Sequence, residues 1–557
     1  MADSTMLTSL FELPILVVDC QTTGASPAHG HLIELAWSWT AAALHSPDVV
    51  ARKIALPQGA TVSRRVQQIT GLGPLDLVDA PAALEVCQEL RAQTCARQVA
   101  AVVAHYARFE RSFVEPLDTG LSHPWICTHA IARRLLPGLP RLGLRAVAGY
   151  LGYTLAEEKR AGDHVLATAF VWRAFVDLFE REHAVFTLAD LMDWLVQTPA
   201  PRDASRIYAM PREKRLALPE TPGVYHLLSR SGDVLYVGKA SSLKDRVNSY
   251  FRSPGTLSSS KHELVSQVHD IAVTETGSSL EAALLENEHI KHLAPPYNAS
   301  LREGRRRVVY LSSNLTESSP VSAPTVMLGP LIRRDERHPI ELFAALVETT
   351  TPDALWAGEL AGGHDVDAAA LAAGFALFRE RHGLGTQAVV LADLLRLGRE
   401  LLRARERAIA IDDPDELPVD EQPADSPQAI ATRLERILSN FSRELARARW
   451  LCRLSESVLA WEDGESPEHP RRMLVIHQGR VWEQGELEAG EPLPLPPGHR
   501  RSRLQRQGVM DLGTYDRLRV LTTELRRLVA ADKALWLRVG HAEPIKTARL
   551  ARILLHL

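Results

Sequence analysis

Between Pro222 and Asn298 stand a tyrosine in PGVYHLL (Tyr225), a second in VLYVGKA (Tyr236) followed by Lys239, an arginine in LKDRVNSYF (Arg246), a glutamate in EAALLENEHI (Glu286) and an asparagine in APPYN (Asn298). A phenol can take a proton from water once neighbouring cations pull its pKa below the usual value of about 10. A planar guanidinium matches phosphate oxygens better than an ammonium does. A carboxylate on an apolar helix face is costly to bury unless it is paired or holds a cation. Hydrolysis of a phosphodiester needs these three kinds of group: an activated water, a hard cation, and donors where negative charge grows.

The elements that must position them follow from local patterning. Two apolar, β-rich runs around SRSGD, with Gly232 in the turn, predict an antiparallel hairpin. If Leu228 faces Asp233 across a four-residue loop, Tyr225 stands opposite Tyr236 and both phenols share one face. Leu243, Val247, Tyr250 and Phe251 then recur at helical spacing, with Arg246 on the flank of that stripe and Lys244, Asp245 and Asn248 pointing elsewhere. A third strand, IAVTET, precedes a helix from about Ser279 to Leu293 on which Glu286 shares a face with Ala282, Ala283, Ile290 and Leu293. Each residue also has an ordinary use: tyrosines fill hairpin cores, an Arg–Glu pair makes a salt bridge, and an asparagine after Pro-Pro makes a turn.

In order and spacing these motifs resemble the GIY-YIG nuclease domain, in the form found in the bacterial excinuclease UvrC and its shorter relative Cho. The resemblance implies DNA as substrate and one divalent metal, Mg²⁺ or Mn²⁺. It implies Tyr236 as general base, Glu286 as metal ligand and Arg246 as phosphate stabiliser. Tyr225, Lys239 and Asn298 match further active-site positions. Excinuclease subunits A and B are the partners it brings into view. UvrC carries a second endonuclease domain and helix-hairpin-helix elements downstream; neither is found here, which is closer to Cho.

Upstream, LPILVVDCQTTG, HLIELAWSWT and ARKIALP predict a strand meander. Helices at VSRRVQQITG and AALEVCQELRAQ follow, then a strand AVVAHYARFERSFV, and helical runs RLGLRAVAGYLGY and AGDHVLATAFVWRAFVDLF. This order resembles the DEDD-type exonucleases of RNase H-like fold, in particular the proofreading exonuclease of replicative DNA polymerase III. That family holds two metals with four carboxylates beside a histidine base. Asp19 matches the first carboxylate, Gln21 stands at the second, Glu110 replaces the third aspartate, His164 matches the base, and Ala169 stands at the last. Two missing anions predict a site that lacks its metal pair and its exonuclease activity.

At 557 residues the chain exceeds one core, and its net charge of −4 puts any nucleic-acid surface in local patches. One such surplus, ten Lys/Arg against five Asp/Glu, falls between Pro201 and Arg252. Arg302, Arg305, Arg306 and Arg307 suggest a phosphate-contacting arm or a solvated charge cluster, and the basic run His499–Arg506 is a second candidate. Five scattered cysteines without metal spacing, no leader pattern and no long apolar run point to a cytoplasmic protein without a membrane span. The expected class is multidomain α/β and α+β. It places a DEDD exonuclease-like, RNase H-like domain at 1–189, a linker at 190–216 and a GIY-YIG α+β domain at 217–300. A basic arm and helical module follow at 301–410, an acidic Pro-rich linker at 411–428 and an α+β module at 429–557. Two other functions stay open: a 3′–5′ exonuclease, and a non-catalytic DNA-binding scaffold.

Overall fold

The computed structural model describes residues 6–117, 121–153, 159–201, 203–252, 257–298, 306–322, 326–333, 338–344, 368–384, 391–409, 426–462, 470–488, 490–497, 510–555 and 557. Two units divide the chain: Met1–Ala282 with Leu293–Ala299, and Ala283–His292 with Ser300–Leu557.

In the first unit the expected meander is present. Strands β1 (Ile15–Thr22), β2 (Leu32–Thr40) and β3 (Val50–Lys53) run antiparallel, and β4 (Ala101–Ala104) and β5 (Trp125–Cys127) extend the sheet in parallel, in the order β3-β2-β1-β4-β5. The helices are α1 (Arg64–Thr70), α2 (Ala83–Cys95), α3 (Ala107–Val114), α4 (Thr128–Leu135), α5 (Leu144–Leu151), α6 (Ala161–Leu178) and α7 (Leu188–Gln197). Side-chain alternation feeds two cores. Ile15 and Val17 join Val171, Trp172 and Phe175 of α6, whereas Leu16 and Val18 join Val86 and Leu90 of α2. Asp19 therefore leaves β1 on the α6 side. The run AVVAHYARFERSFV is strand only over Ala101–Ala104; after the left-handed Tyr106 it turns into α3, which carries Glu110. Helix α7 packs Leu188 and Leu191 into the α6 core.

The hairpin region follows: α8 (Arg212–Leu216), β6 (Gly223–Leu228), β7 (Val234–Ala240), α9 (Leu243–Arg252), α10 (Ser259–Gln267), β8 (Asp270–Glu275) and α11 (Ser279–Leu293). Its sheet is antiparallel in the order β7-β6-β8. The register differs from the expected one: Tyr225 stands opposite Gly238, and Tyr236 opposite Leu227. The turn pairs Leu228 with Val234 rather than Asp233, and a bulge between Leu227 and Leu228 that leaves Leu235 unpaired adds a second shift of one, so the phenols lie diagonally on one face rather than directly across. Asn248, expected away from the buried stripe, is fully buried; it donates to the carbonyls of Arg215 and Lys244 and accepts from the Arg215 guanidinium. That tie fastens α8 to α9.

In the second unit β9 (Arg307–Ser312), β10 (Ser318–Ser319) and β11 (Val326–Arg333) form a three-stranded sheet. It shares a core with α12 (Ala368–Arg381), α13 (Leu391–Ile409) and α14 (Pro427–Leu454). Helix α14 stops at Leu454, and Ser457–Trp461 is β12, the buried middle of a five-stranded sheet. Strands β13 (Arg471–His477) and β14 (Arg480–Leu487) form a hairpin, and β15 (Leu535–Val539) and β16 (Ile545–Lys546) flank β12 on its other side. Helices α15 (Leu512–Ala530) and α16 (Thr547–Leu555) complete the unit. The acidic Pro-rich stretch over 410–425 and the basic run from His499 to Arg506 lie outside the described residues. Among the described residues no helix is long and apolar enough to cross a membrane.

Candidate active site

Three phenols and one guanidinium gather on the α9 face of the hairpin sheet. Tyr225 and Tyr236 are brought within 6.1 Å, ring centre to ring centre, by their diagonal placement. Tyr250, from α9, closes the triangle at 6.3 Å from Tyr225 and 6.4 Å from Tyr236. The Tyr225 and Tyr250 hydroxyls are hydrogen-bonded at 2.8 Å. Arg246 lies one helical turn before Tyr250; its guanidinium carbon is 5.2 Å from that ring centre, and the group also hydrogen-bonds the Tyr225 phenol. Sequence patterning places Tyr250 only in the apolar stripe. The signal that could have found it is its i,i+4 spacing from Arg246, which puts both on one face.

Gly238 makes the triangle possible. A Cβ there would meet the Tyr225 hydroxyl at 2.4 Å and Tyr236 at 2.8 Å, so any side chain would push the phenols apart. Burial, reinforced by Tyr250 and Tyr236 beside it, holds the Tyr225 phenol well above the usual tyrosine range. It keeps its proton at neutral pH. Tyr236 is half-buried on the same face.

Asn298 plays a part the sequence did not specify. Its carboxamide oxygen accepts from the Val237 amide and its nitrogen donates to the Val237 carbonyl, both at 2.8 Å, while the Tyr297 amide donates to the Leu235 carbonyl. The side chain thus acts as an extra strand residue on the free edge of β7 and holds the segment that bears Tyr236. Lys239 pairs with Val224, and alternation sends its Cβ to the opposite face from the phenols. Glu286 lies half-buried on α11, among buried Ala282, Ala283 and Ile290; Leu293, expected on that face, is 40% exposed.

Of the proposed arginine arm, Arg302 and Arg305 lie outside the described residues. Arg306 is not free for phosphate. It and Lys291 both reach the buried Asp516 of α15, at 2.5 and 2.8 Å, because a carboxylate 2% exposed needs cationic partners. Arg307 sits exposed at the start of β9.

A second constellation lies at the C-terminal end of β1. Asp19 is buried, and its Oδ2 is 3.2 Å from Nδ1 of His164 on α6. The Gln21 amide nitrogen is 3.4 Å from the same Nδ1. Glu110, 4% exposed, has one carboxyl oxygen without a hydrogen-bond partner, and burial together with the nearby Asp19 pushes its pKa up to about 9. Burial also raises Asp19, against the pull of His164. Burial opposes a charge on His164, but Asp19 outweighs it and the imidazole titrates above its ordinary value. Ala169 packs against the α6 core and brings no oxygen ligand. Among the described residues no group of three or more His, Cys, Asp or Glu side chains is arranged to hold a metal ion.

Residues 221–299 match the family model of the UvrC-like GIY-YIG domain. UvrABC system protein C of Psychrobacter sp. (strain PRwf-1) is 50% identical over 99 residues, 17% of this chain and 16% of that protein. The chain therefore spans about a sixth of the length of the curated relatives it matches. Among solved structures, the magnesium-bound GIY-YIG N-terminal endonuclease domain of UvrC from Thermotoga maritima aligns at 31% identity over 16% of this chain and 94% of that one, with a TM-score of 0.15. Exonuclease X in complex with 5′ overhanging duplex DNA aligns at 18% identity over 32% of this chain and 99% of that one, with a TM-score of 0.25.

Proposed function

We propose that the protein is a divalent-metal-dependent DNA endonuclease of the GIY-YIG type that makes an incision in nucleotide excision repair. The observation that carries this reading is the Tyr225–Tyr236–Tyr250–Arg246 cluster, built around Gly238 in a segment that matches the UvrC-like domain. Tyr225 keeps its proton and spaces the cluster. Tyr236 takes the proton of the attacking water. Arg246, held by Tyr225 and stacked on Tyr250, receives phosphate oxygens in its planar fork. Lys239, whose Cβ leaves the sheet on the opposite face, would add positive charge to the neighbourhood rather than join the cluster, and Asn298 fixes the strand beneath Tyr236.

Glu286 would hold the cation. One half-buried carboxylate on an otherwise apolar face suits Mg²⁺ or Mn²⁺ that keeps most of its waters, and such an ion would supply charge neutralisation at the scissile phosphate. Excinuclease subunits A and B are the proposed partners, and the cytoplasm the proposed compartment.

The N-terminal sheet, with three antiparallel strands extended by two parallel ones, supports an RNase H-like fold of the DEDD exonuclease type with a degenerate site. One observation favours the second reading, a 3′–5′ exonuclease: Asp19 lies 3.2 Å from His164 and acts electrostatically on the buried Glu110.

The test is the purified protein on supercoiled, lesion-bearing DNA, with Mg²⁺ and with chelator. Metal-dependent internal nicks are expected, abolished in Glu286→Ala with unchanged unfolding; full activity in that variant and in Arg246→Ala would refute the assignment. Stepwise mononucleotide release from a labelled 3′ end would establish the exonuclease instead.

A further inference from the structure

Within the first unit, a line of cations and one strained tyrosine lead away from the phenol cluster. Tyr106 has a φ of 74°, a left-handed conformation that costs a bulky residue on the order of 1–3 kcal/mol. The residue is nevertheless 47% exposed. It stacks on His129 at 4.2 Å and meets the edge of His105 at 5.1 Å. His105 is itself fixed by Thr128 Oγ1 at 2.9 Å and by the Leu142 carbonyl at 3.0 Å. The backbone is thus strained to hold an aromatic face at the surface on a rigid support.

From Tyr106 the line runs through exposed cations. Arg141 adjoins Leu142, whose carbonyl holds the His105 ring against which Tyr106 packs, and its guanidinium donates to Ser259 Oγ in the first turn of α10. Lys261, in the same turn, places its ammonium 6.0 Å from the ring centre of Tyr250, which Arg246 approaches within 5.2 Å. The spacing is set by close packing of α5 on α10. A Cβ on Gly149 would meet the Gln267 side chain at 2.2 Å, and the Gly149 carbonyl is bound by His269 Nε2 at 3.0 Å. Arg145, on the same helix, lies over the Tyr297 ring and 3.9 Å from Glu263, so it belongs to this joint rather than to the line.

We propose that Lys261, Arg141 and Tyr106 form a track for a single DNA strand continuing from the phenol cluster, the two cations taking phosphates and Tyr106 stacking on an unpaired base. Cations alternating with an exposed ring fit a single strand, because duplex bases are already stacked on one another. The proposal rests on the endonuclease reading for which strand occupies the track.

The test uses the full chain with chelator present, and the anisotropy of a fluorescein-labelled single-stranded oligonucleotide and of its duplex across a salt series. The double variant Arg141→Ala/Lys261→Ala is expected to weaken single-strand binding and flatten the plot of log affinity against log salt by roughly 1.4, the release expected for two phosphates on a single strand. Tyr106→Asn, which tolerates the left-handed backbone, is expected to weaken single-strand binding about fivefold or more without changing that slope, and Tyr106→Phe to restore it. Wild-type binding in folded Tyr106→Asn and in the double variant, or equal losses on duplex and single strand, overturns the track. Plasmid nicking with Mg²⁺ is followed in parallel. Absent nicking with these binding losses intact defeats the endonuclease reading and supports the track, whereas normal nicking with unaltered binding defeats the track alone.

Discussion

The first unit holds two polar constellations, and they differ in how charge is met. In the hairpin region the hydroxyls of Tyr225 and Tyr250 bond each other, Arg246 bonds Tyr225, and the group carries a net positive charge toward whatever enters. At the end of β1, the buried carboxyls of Asp19 and Glu110 repel each other's charge, the His164 imidazole lies beside Asp19, and burial drives Glu110 toward its neutral form. The first arrangement suits an incoming phosphate. The second must lose a proton before a cation can enter, and the amide of Gln21 and the methyl of Ala169 offer it no anion. Two polar constellations in one unit therefore prepare opposite surfaces, and the charge that their side chains carry when buried decides which.

The comparison breaks most sharply at Arg246. Arg246→Ala is expected to lower metal-dependent nicking by about 100-fold or more, as loss of a preorganised charge stabiliser does, while Glu110→Gln leaves nicking unchanged; plasmid nicking rates decide, and the reverse pattern would exchange the roles of the two regions. Asn298→Ala strips both partners from Val237 and should destabilise the β7 edge by about 2 kcal/mol, seen as faster hydrogen exchange at the Val237 amide. Gln21→Glu with Ala169→Asp should raise divalent-cation affinity of the pocket at least about tenfold, measured by calorimetry; no gain would count against the degenerate-site account.

The last effect concerns pH. Glu110 has a folded-state pKa of about 9 against an ordinary carboxylate value in the unfolded chain. Between those values the folded state holds a proton that the unfolded state has released, so stability falls as pH rises through that window. Glu110→Gln should remove this slope, worth at most about 1.4 kcal/mol per pH unit, and thermal melts from pH 5 to roughly 9 would show the variant gaining on the parent.

Much of the hairpin site was legible because its parts are close in sequence. The strand, turn and helix signals lie within one short stretch, and Arg246 and Tyr250 are one helical turn apart. The bulge at Leu227/Leu228 was not legible, since apolar alternation reads the same in either register until packing over Gly238 selects one. Asn298 was found as a residue but not as a strand mimic, because its partner Val237 lies far back along the chain. Glu110 was placed on a strand when it stands on α3; the run AVVAHYARFERSFV is apolar enough for either, and the left-handed turn at Tyr106 carries no glycine to announce it.

The chain by itself determined which groups are present and which local elements carry them: the phenols on a hairpin, the guanidinium on the following helix, the carboxylate on a later one, and an amide at Gln21 and a methyl at Ala169 in place of carboxylates. Those are short-range properties, set by hydrophobic period and turn chemistry. Only the tertiary structure decided that Tyr250 joins the phenols, that Arg306 is consumed by Asp516, and that Glu110 sits where a charge is costly. These are outcomes of burial, and burial depends on contacts between residues far apart in sequence that no local pattern encodes.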